Sequence, residues 1–314
     1  MIPGTTASHT GPGVRWVIHN TAIAGQTSTG NAMYAGGKHV FATIGAGVIS
    51  FDSLNMASGS TRYTDAQMEW GTNIVNAVPS ISNSLYIYPN DSASVTAGPK
   101  VASSLGGSLT EASLSGSRAG VYAPHAGRWI IVGTNGTYTL SSNGTTWTSN
   151  TSSNQNMTVQ LHSVAASPTC VITGGSTEFF RSTNATLSAS AWSTISQTQG
   201  CRAVYYESSI STWMIGGGSG TYAYSTNDGV TWTSKTITGT TSNASGITFY
   251  RGHWFIGNSI GEIWRSNTSD PSGSWVKVFT TAAGVQIRVA NPEGATNPIL
   301  FTGSYTNGLI NMSV

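Results

Sequence analysis

Charged side chains are scarce in this sequence. Asp, Glu, Lys and Arg make up 8% of its 314 residues, against about 25% in an ordinary soluble domain. The four Lys and nine Arg are scattered, and the net charge is +2. A surface that tracks nucleic-acid phosphates needs clustered cations, so nucleic acid is not an expected partner. Apolar runs are short as well. None reaches the ~18 residues of a spanning helix, so membrane insertion is not expected. The opening "MIPGTTASHTGPG" lacks the basic start and apolar centre of a signal peptide. Residues 1–10 read as a flexible arm and 11–314 as one domain. Cysteine is confined to Cys170 and Cys201, without the CxxC spacing of a zinc or redox site. Two buried free thiols and a disulfide both remain open. Helical periodicity is missing too. None of this means disorder, which couples low hydrophobicity to high net charge. Here 38% of residues are hydrophobic and ten are Trp, enough to build a core.

What is present is repetition. Similar apolar stretches begin at Val40, Leu85, Trp129, Cys170, Trp213, Trp254 and Ile299, at steps of 41 to 45 residues. Most are followed by a Gly- or Asn-rich turn and then by an alternating strand, as in "GTYTLSS" (136–142) and "GTYAYST" (220–226). A further short strand precedes many of them, and a Trp-bearing segment often follows. Four strands per period of roughly 43 residues is the pattern of a β-propeller blade. The expected fold is therefore all-β, a seven-bladed β-propeller of four-stranded antiparallel blades. Repeat two, 73–115, fits worst, which leaves six or eight blades open. The last repeat ends at Val314 without a fourth strand. Residues 14–19, with Arg15, Trp16 and Val17, are expected to supply it and so close the ring. That removes an exposed sheet edge.

The most explicit segment is "YSTNDGVTWTS" (224–234). Ser225, Asp228, Gly229, Thr231 and Trp232 resemble the Asp-box, or BNR-type, repeat of sialidase-like propellers. "SSNGTTW" is a weaker copy carrying Asn143, Gly144 and Trp147; the copies ending at Trp192 and Trp275 are degenerate. The resemblance implies a peripheral, structural role away from any active site. Asp228 is expected to accept backbone N–H groups and turn the chain. Gly229 supplies positive φ, and the Trp packs between neighbouring sheets.

Chemistry is hard to find elsewhere. The turns between second and third strands hold one acid, Asp91, and no His, Lys or Arg. Arg202 and Arg288 lie in or beside innermost strands. Glu178 and Glu262 fall at matching positions two repeats apart, too far for a glycosidase pair. His39, His125 and His253 belong to repeats one, three and six, so a ring spreads them beyond one ion's reach; His162 reads as a loop or strand-end residue. No catalytic residue, metal or cofactor is expected.

The Gly/Ser/Thr/Asn-rich composition resembles bacteriophage tail and capsid-surface proteins. The resulting expectation is a non-enzymatic structural or attachment protein of the virion, assembled in the host cytoplasm. Its partners would be other virion proteins, copies of itself, or a host receptor or surface glycan. The alternative is an extracellular lectin or a diverged sialidase-like glycoside hydrolase.

Overall fold

The computed structural model describes residues 80–90, 98–112, 114, 116–150, 157–195 and 199–280, with the backbone of strands within 16–63 and 287–313. The arm at 1–10, Arg15 and Asp91 lie outside the described residues.

Among the described residues every sheet is antiparallel with four strands, and there are seven. Sheet 3 is Ala119–Ala123, Arg128–Val132, Tyr138–Ser141 and Thr148–Asn150. Sheet 4 is Ser163–Ala166, Val171–Gly174, Phe179–Ser182 and Ser193–Ile195. Sheet 5 is Ala203–Glu207, Thr212–Gly216, Thr221–Ser225 and Thr233–Thr236. Each runs in plain sequence order. Sheets 1, 2 and 6 do the same within residues 28–63, 80–111 and 244–280. Sheet 7 differs. Ile287–Ala290, Phe301–Ser304 and Ile310–Ser313 are joined at the outer edge by Trp16–His19, with Trp16 opposite Ser313 and Val17 opposite Met312.

The chain divides into two compact units. Residues 69–244 hold sheets 2 to 5; residues 1–68 and 245–314 hold the others. Within the first unit the packing explains the sequence pattern. Second strands are buried along their whole length in Val171–Gly174 and Thr212–Gly216. Successive side chains of a strand point to opposite faces, so both faces are covered. Ile130 and Val132 pack with Val164, Val171 and Phe180 of sheet 4, whereas Ile131 packs with Ile87 and Val101 of sheet 2. Val171 faces sheet 3, while Ile172 joins Val204, Trp213 and Ile215 of sheet 5. A strand covered on both sides reads as a continuous apolar run, which is why "WIIV" does not alternate. Each such Ile or Val contributes about 1.5–3 kcal/mol by leaving water.

Cys170 and Cys201 are buried free thiols, so no disulfide joins them. Burial pushes the Cys170 thiol up to about 11 and raises that of Cys201 further. Neither is a nucleophile near neutral pH.

Candidate functional site

The segment 225–232 turns the third strand of sheet 5 into the fourth. Its hydrogen bonds show which residue makes the turn. Ser225 Oγ accepts from the N–H of Gly229 at 2.9 Å and of Asn227 at 3.4 Å, and donates to Asn227 Oδ1 at 2.9 Å. Asn227 Oδ1 also accepts from Thr231 N at 2.9 Å, and its Nδ2 donates to Thr231 Oγ1 at 2.7 Å. Trp232 Nε1 donates to Gly229 O at 3.0 Å, and its ring meets Phe179 of sheet 4 edge-on at 5.2 Å. The side-chain acceptors of backbone N–H in this corner are therefore Ser225 and Asn227, two residues after the serine, and not Asp228 as expected. A short side chain that mimics a backbone turn works at that offset.

Asp228 does something else. It sits in the left-handed region at φ 58°, followed by Gly229 at φ 76°, and this turns its carboxylate away from its own corner. Oδ1 accepts from Ser167 Oγ at 2.8 Å and from Trp213 Nε1 at 3.0 Å, and Cys170 Sγ lies 3.5 Å away. Oδ2 accepts from Thr169 Oγ1 and faces Arg181 Nη2 at 3.6 Å. Arg181 Nε donates to the Asp228 carbonyl at 2.9 Å. Ser167, Thr169, Cys170 and Arg181 all belong to sheet 4 or its first turn, so one residue ties two sheets together. Burial pushes the carboxyl up, but hydrogen bonds from Thr169, Trp213, Ser167 and Cys170 outweigh it and hold the group below the usual carboxylate range. A base poised for proton transfer near neutrality needs the opposite.

The corner of sheet 3 has the same core. Ser141 Oγ accepts from Gly144 N at 2.8 Å, and Asn143 Oδ1 accepts from Thr145 N at 3.0 Å and Thr146 N at 2.8 Å. Trp147 packs at the sheet 2 interface, but its Nε1 is buried without a partner. Sheet 4 keeps part of it: Asn184 Oδ1 accepts from Thr186 N at 2.8 Å. The copy ending at Trp192 is degenerate in sequence because the Asn stands apart from the Trp.

The other candidates are dispersed. Glu262 is buried and accepts from Asn258 Nδ2 at 2.8 Å, Trp264 Nε1 at 3.0 Å and Lys277 Nζ at 3.0 Å. That is a structural carboxylate. Glu178 is half-buried on the turn between strands two and three of sheet 4. His253 Nδ1 lies 2.9 Å from Ser266 O. His125 stands in the turn between the first two strands of sheet 3, with both ring nitrogens buried. Burial lowers its pKa, against the attraction of Asp228. Of Arg288 and His39 the backbone alone is described. No three His, Cys, Asp or Glu side chains gather into a metal-binding group among the described residues. Sequence reading missed one contact at the opposite end of the sheets: Arg118 Nη1 lies 3.0 Å from His162 Nδ1. Those two residues are 44 apart in the chain, and nothing in the sequence pairs them.

No protein-family model matches the chain, and no curated protein does. Solved structures do. YCF48 from Cyanidioschyzon merolae superposes with a TM-score of 0.64 at 11% identity, over 95% of this chain and 98% of that one. A YCF48 bound to D1 peptide gives 0.66 at 9%, over 98% and 96%. The extracellular domain of BT4673 from B. thetaiotaomicron gives 0.63 at 10%, over 92% of this chain but 38% of that one. At such identities the likeness is one of fold alone. These neighbours are β-propeller proteins, and the four-stranded antiparallel sheets described above fit propeller blades.

Proposed function

We propose that this chain is a non-enzymatic β-propeller that offers its surface for protein contact, as a structural or attachment component of a bacteriophage virion. In this reading each of the seven sheets is one blade of a single ring. Trp16–His19 closes the ring on Ile310–Ser313, and the corners at 141–147 and 225–232 are Asp-boxes with Asn at the acidic position. The pairing of Trp16 with Ser313 supports closure.

The observation that carries the functional reading is what the acids do. Asp228 and Glu262 hold scaffold donors. Glu111 holds Lys100 Nζ at 2.6 Å and Gly98 N at 2.8 Å. Glu207 holds Ser209 N at 3.0 Å, and Asp270 holds Ser272 N at 2.8 Å. Among the described residues Glu178 is the one carboxylate without such a bond. Hydrolysis of a glycoside by the usual route needs two free carboxyls facing one bond, and among the described residues five of the six acids are engaged elsewhere. A solved propeller of the same fold is bound to a peptide, in keeping with a protein-contact role. Composition alone points to the virion.

The test is co-purification. An antibody to the chain should find it at fixed stoichiometry in gradient-purified particles, and no saccharide on a glycan array should bind it or be hydrolysed. Recovery only in particle-free fractions, or turnover of a sialoside, would overturn the reading.

A further inference from the structure

Sheets 3, 4 and 5 begin their first strands alike. The main-chain N–H groups of Arg118, His162 and Arg202 donate to the carbonyls of Val132, Gly174 and Gly216 at 2.8, 2.7 and 2.9 Å. Each of those carbonyls ends the second strand of its sheet. Three nitrogen-bearing side chains therefore stand at one level in three successive sheets. Antiparallel topology puts them at the end of the sheets away from the 141–147 and 225–232 corners.

Side-chain contacts link the first two, and main-chain contacts carry the line on to the start of sheet 5, where Arg202 stands. Arg118 is 7% exposed. The Gln160 amide lies against the guanidinium; with its oxygen assigned to that side by the donors it faces, it accepts from Nη2 at 2.7 Å and Nε at 3.3 Å, while Nη1 reaches His162 Nδ1 at 3.0 Å. Arginine can only donate, so Nδ1 accepts and Nε2 carries the proton, which points to Ser176 Oγ at 3.0 Å. The Ser176 turn in turn touches the start of sheet 5. Cys201 N donates to Gly175 O at 2.6 Å, and a Cβ on Gly200 would come within 2.1 Å of Ser176 O. Arg202 follows at once. It is half-buried, and its guanidinium makes no hydrogen bond, ion pair or ring contact among the described residues. Glu178, on the same turn as Ser176, makes no ion pair with any of the three.

We infer that the arc Arg118–His162–Ser176–Arg202 is a carboxylate-binding subsite that takes an acidic segment of a partner protein. Arg202 supplies an unused planar fork of donors, which matches a carboxylate in two parallel hydrogen bonds. Arg118 is held in place by Gln160 and His162, which fixes the wall of the subsite before anything binds. Half-burial strengthens Arg202 as an anion partner relative to a fully solvated side chain. The inference rests on the protein-contact reading above and names the end of the sheets at which contact is made.

The experiment uses the full chain and fluorescein-labelled hexaglutamate, followed by fluorescence anisotropy at low salt. Wild type should bind it, and hexaglutamine should not bind. Arg202→Glu should weaken binding by about tenfold or more, the range seen when a close charge pair is broken. Arg202→Gln, a milder change, should weaken it in the same direction. Lys235→Glu makes the same change of net charge on the exposed outer strand of sheet 5 and should leave binding within about twofold of wild type. Equal losses from Arg202→Glu and Lys235→Glu would overturn the proposal, as would an unresponsive Arg202→Glu or a wild type that ignores hexaglutamate. Binding of 3′-sialyllactose in place of hexaglutamate would also overturn it, in favour of a glycan site. In each of these cases, co-purification of wild type with particles separates failure of this subsite from failure of the protein-contact role.

Discussion

The corners at 141–147 and 225–232 share a serine, an asparagine two residues on, a glycine and a tryptophan, yet they do different work. In the first, glycine follows asparagine directly, and every bond described stays inside the turn. In the second, one extra residue stands between them. That residue is Asp228, held at positive φ, and its carboxylate leaves the turn to join sheets 4 and 5. These are two jobs that a single motif merges when read as a string. Turning the chain needs only a short polar acceptor. Fixing one blade against the next needs a charge placed where the turn itself does not use it.

The sharpest way to break the comparison is Asp228→Ala. It leaves Trp213 Nε1 and Ser167 Oγ without this acceptor and Arg181 without its carboxylate partner, though Arg181 Nε keeps the residue-228 carbonyl. A loss of about 2–3 kcal/mol is expected in urea unfolding, the cost of stranding such donors with some discount for solvent access. The same variant tests pH. The carboxyl is held below its ordinary value of 3.8, so its contribution is present above about pH 4 and fades as pH falls through the depressed value. Wild type should lose stability on that acid limb more steeply than Asp228→Ala.

The glycines come next. A Cβ on Gly229 would lie 2.7 Å from Ile172 Cδ1, whereas one on Gly144 would lie 3.2 Å from Leu85 Cδ1. Both have positive φ, 76° and 74°. Alanine should cost about 1–2 kcal/mol at Gly144 and about 1 kcal/mol more at Gly229, where overpacking adds to backbone strain. Equal losses would mean that the second corner is no tighter against its neighbour than the first.

Asn143→Ala should cost about 1 kcal/mol, since two N–H groups lose an acceptor but remain open to water. His125 should show a smaller effect, confined to mild acid. Burial lowers its pKa below 6.5 while Asp228 opposes and Arg181 assists. Stability is then complete above about pH 6.5 and declines below it, and His125→Leu should flatten that decline in thermal scans from pH 7 to 5. The smallest change is expected at Val230, 64% exposed at the tip of the corner: Val230→Ser should stay within about 0.5 kcal/mol.

The sheets were legible in the sequence because a strand covered on both faces leaves an apolar run at every period, as "WIIV" and "TWMIG" do. An incomplete last repeat pointed to residues 14–19 as a partner for the C-terminal strand, and the backbone of Trp16–His19 lies beside Ile310–Ser313, while residues 14 and 15 lie outside the described residues. The role of Asp228 was not legible. Motif reading attends to residue type, and the acid looked like the residue that defines the corner. Which of Asn227 and Asp228 faces the turn is decided by backbone φ, and a neutral amide serves there as well as a carboxylate. The arc from Arg118 to Arg202 was hidden for another reason. The turns there carry no cation of their own, and Arg118 meets His162, 44 residues away, only once sheets 3 and 4 stand side by side.

The most direct test of the corner's division of labour is a double-mutant cycle between Asp228→Ala and Trp213→Phe, with unfolding followed in urea. If the carboxylate is the acceptor that fastens Trp213 and the neighbouring sheet, the two losses are non-additive by about 1 kcal/mol or more, while Asn227→Ala paired with Trp213→Phe is additive. Additive losses in the first cycle, or coupling of Trp213 to Asn227 instead, would contradict the account.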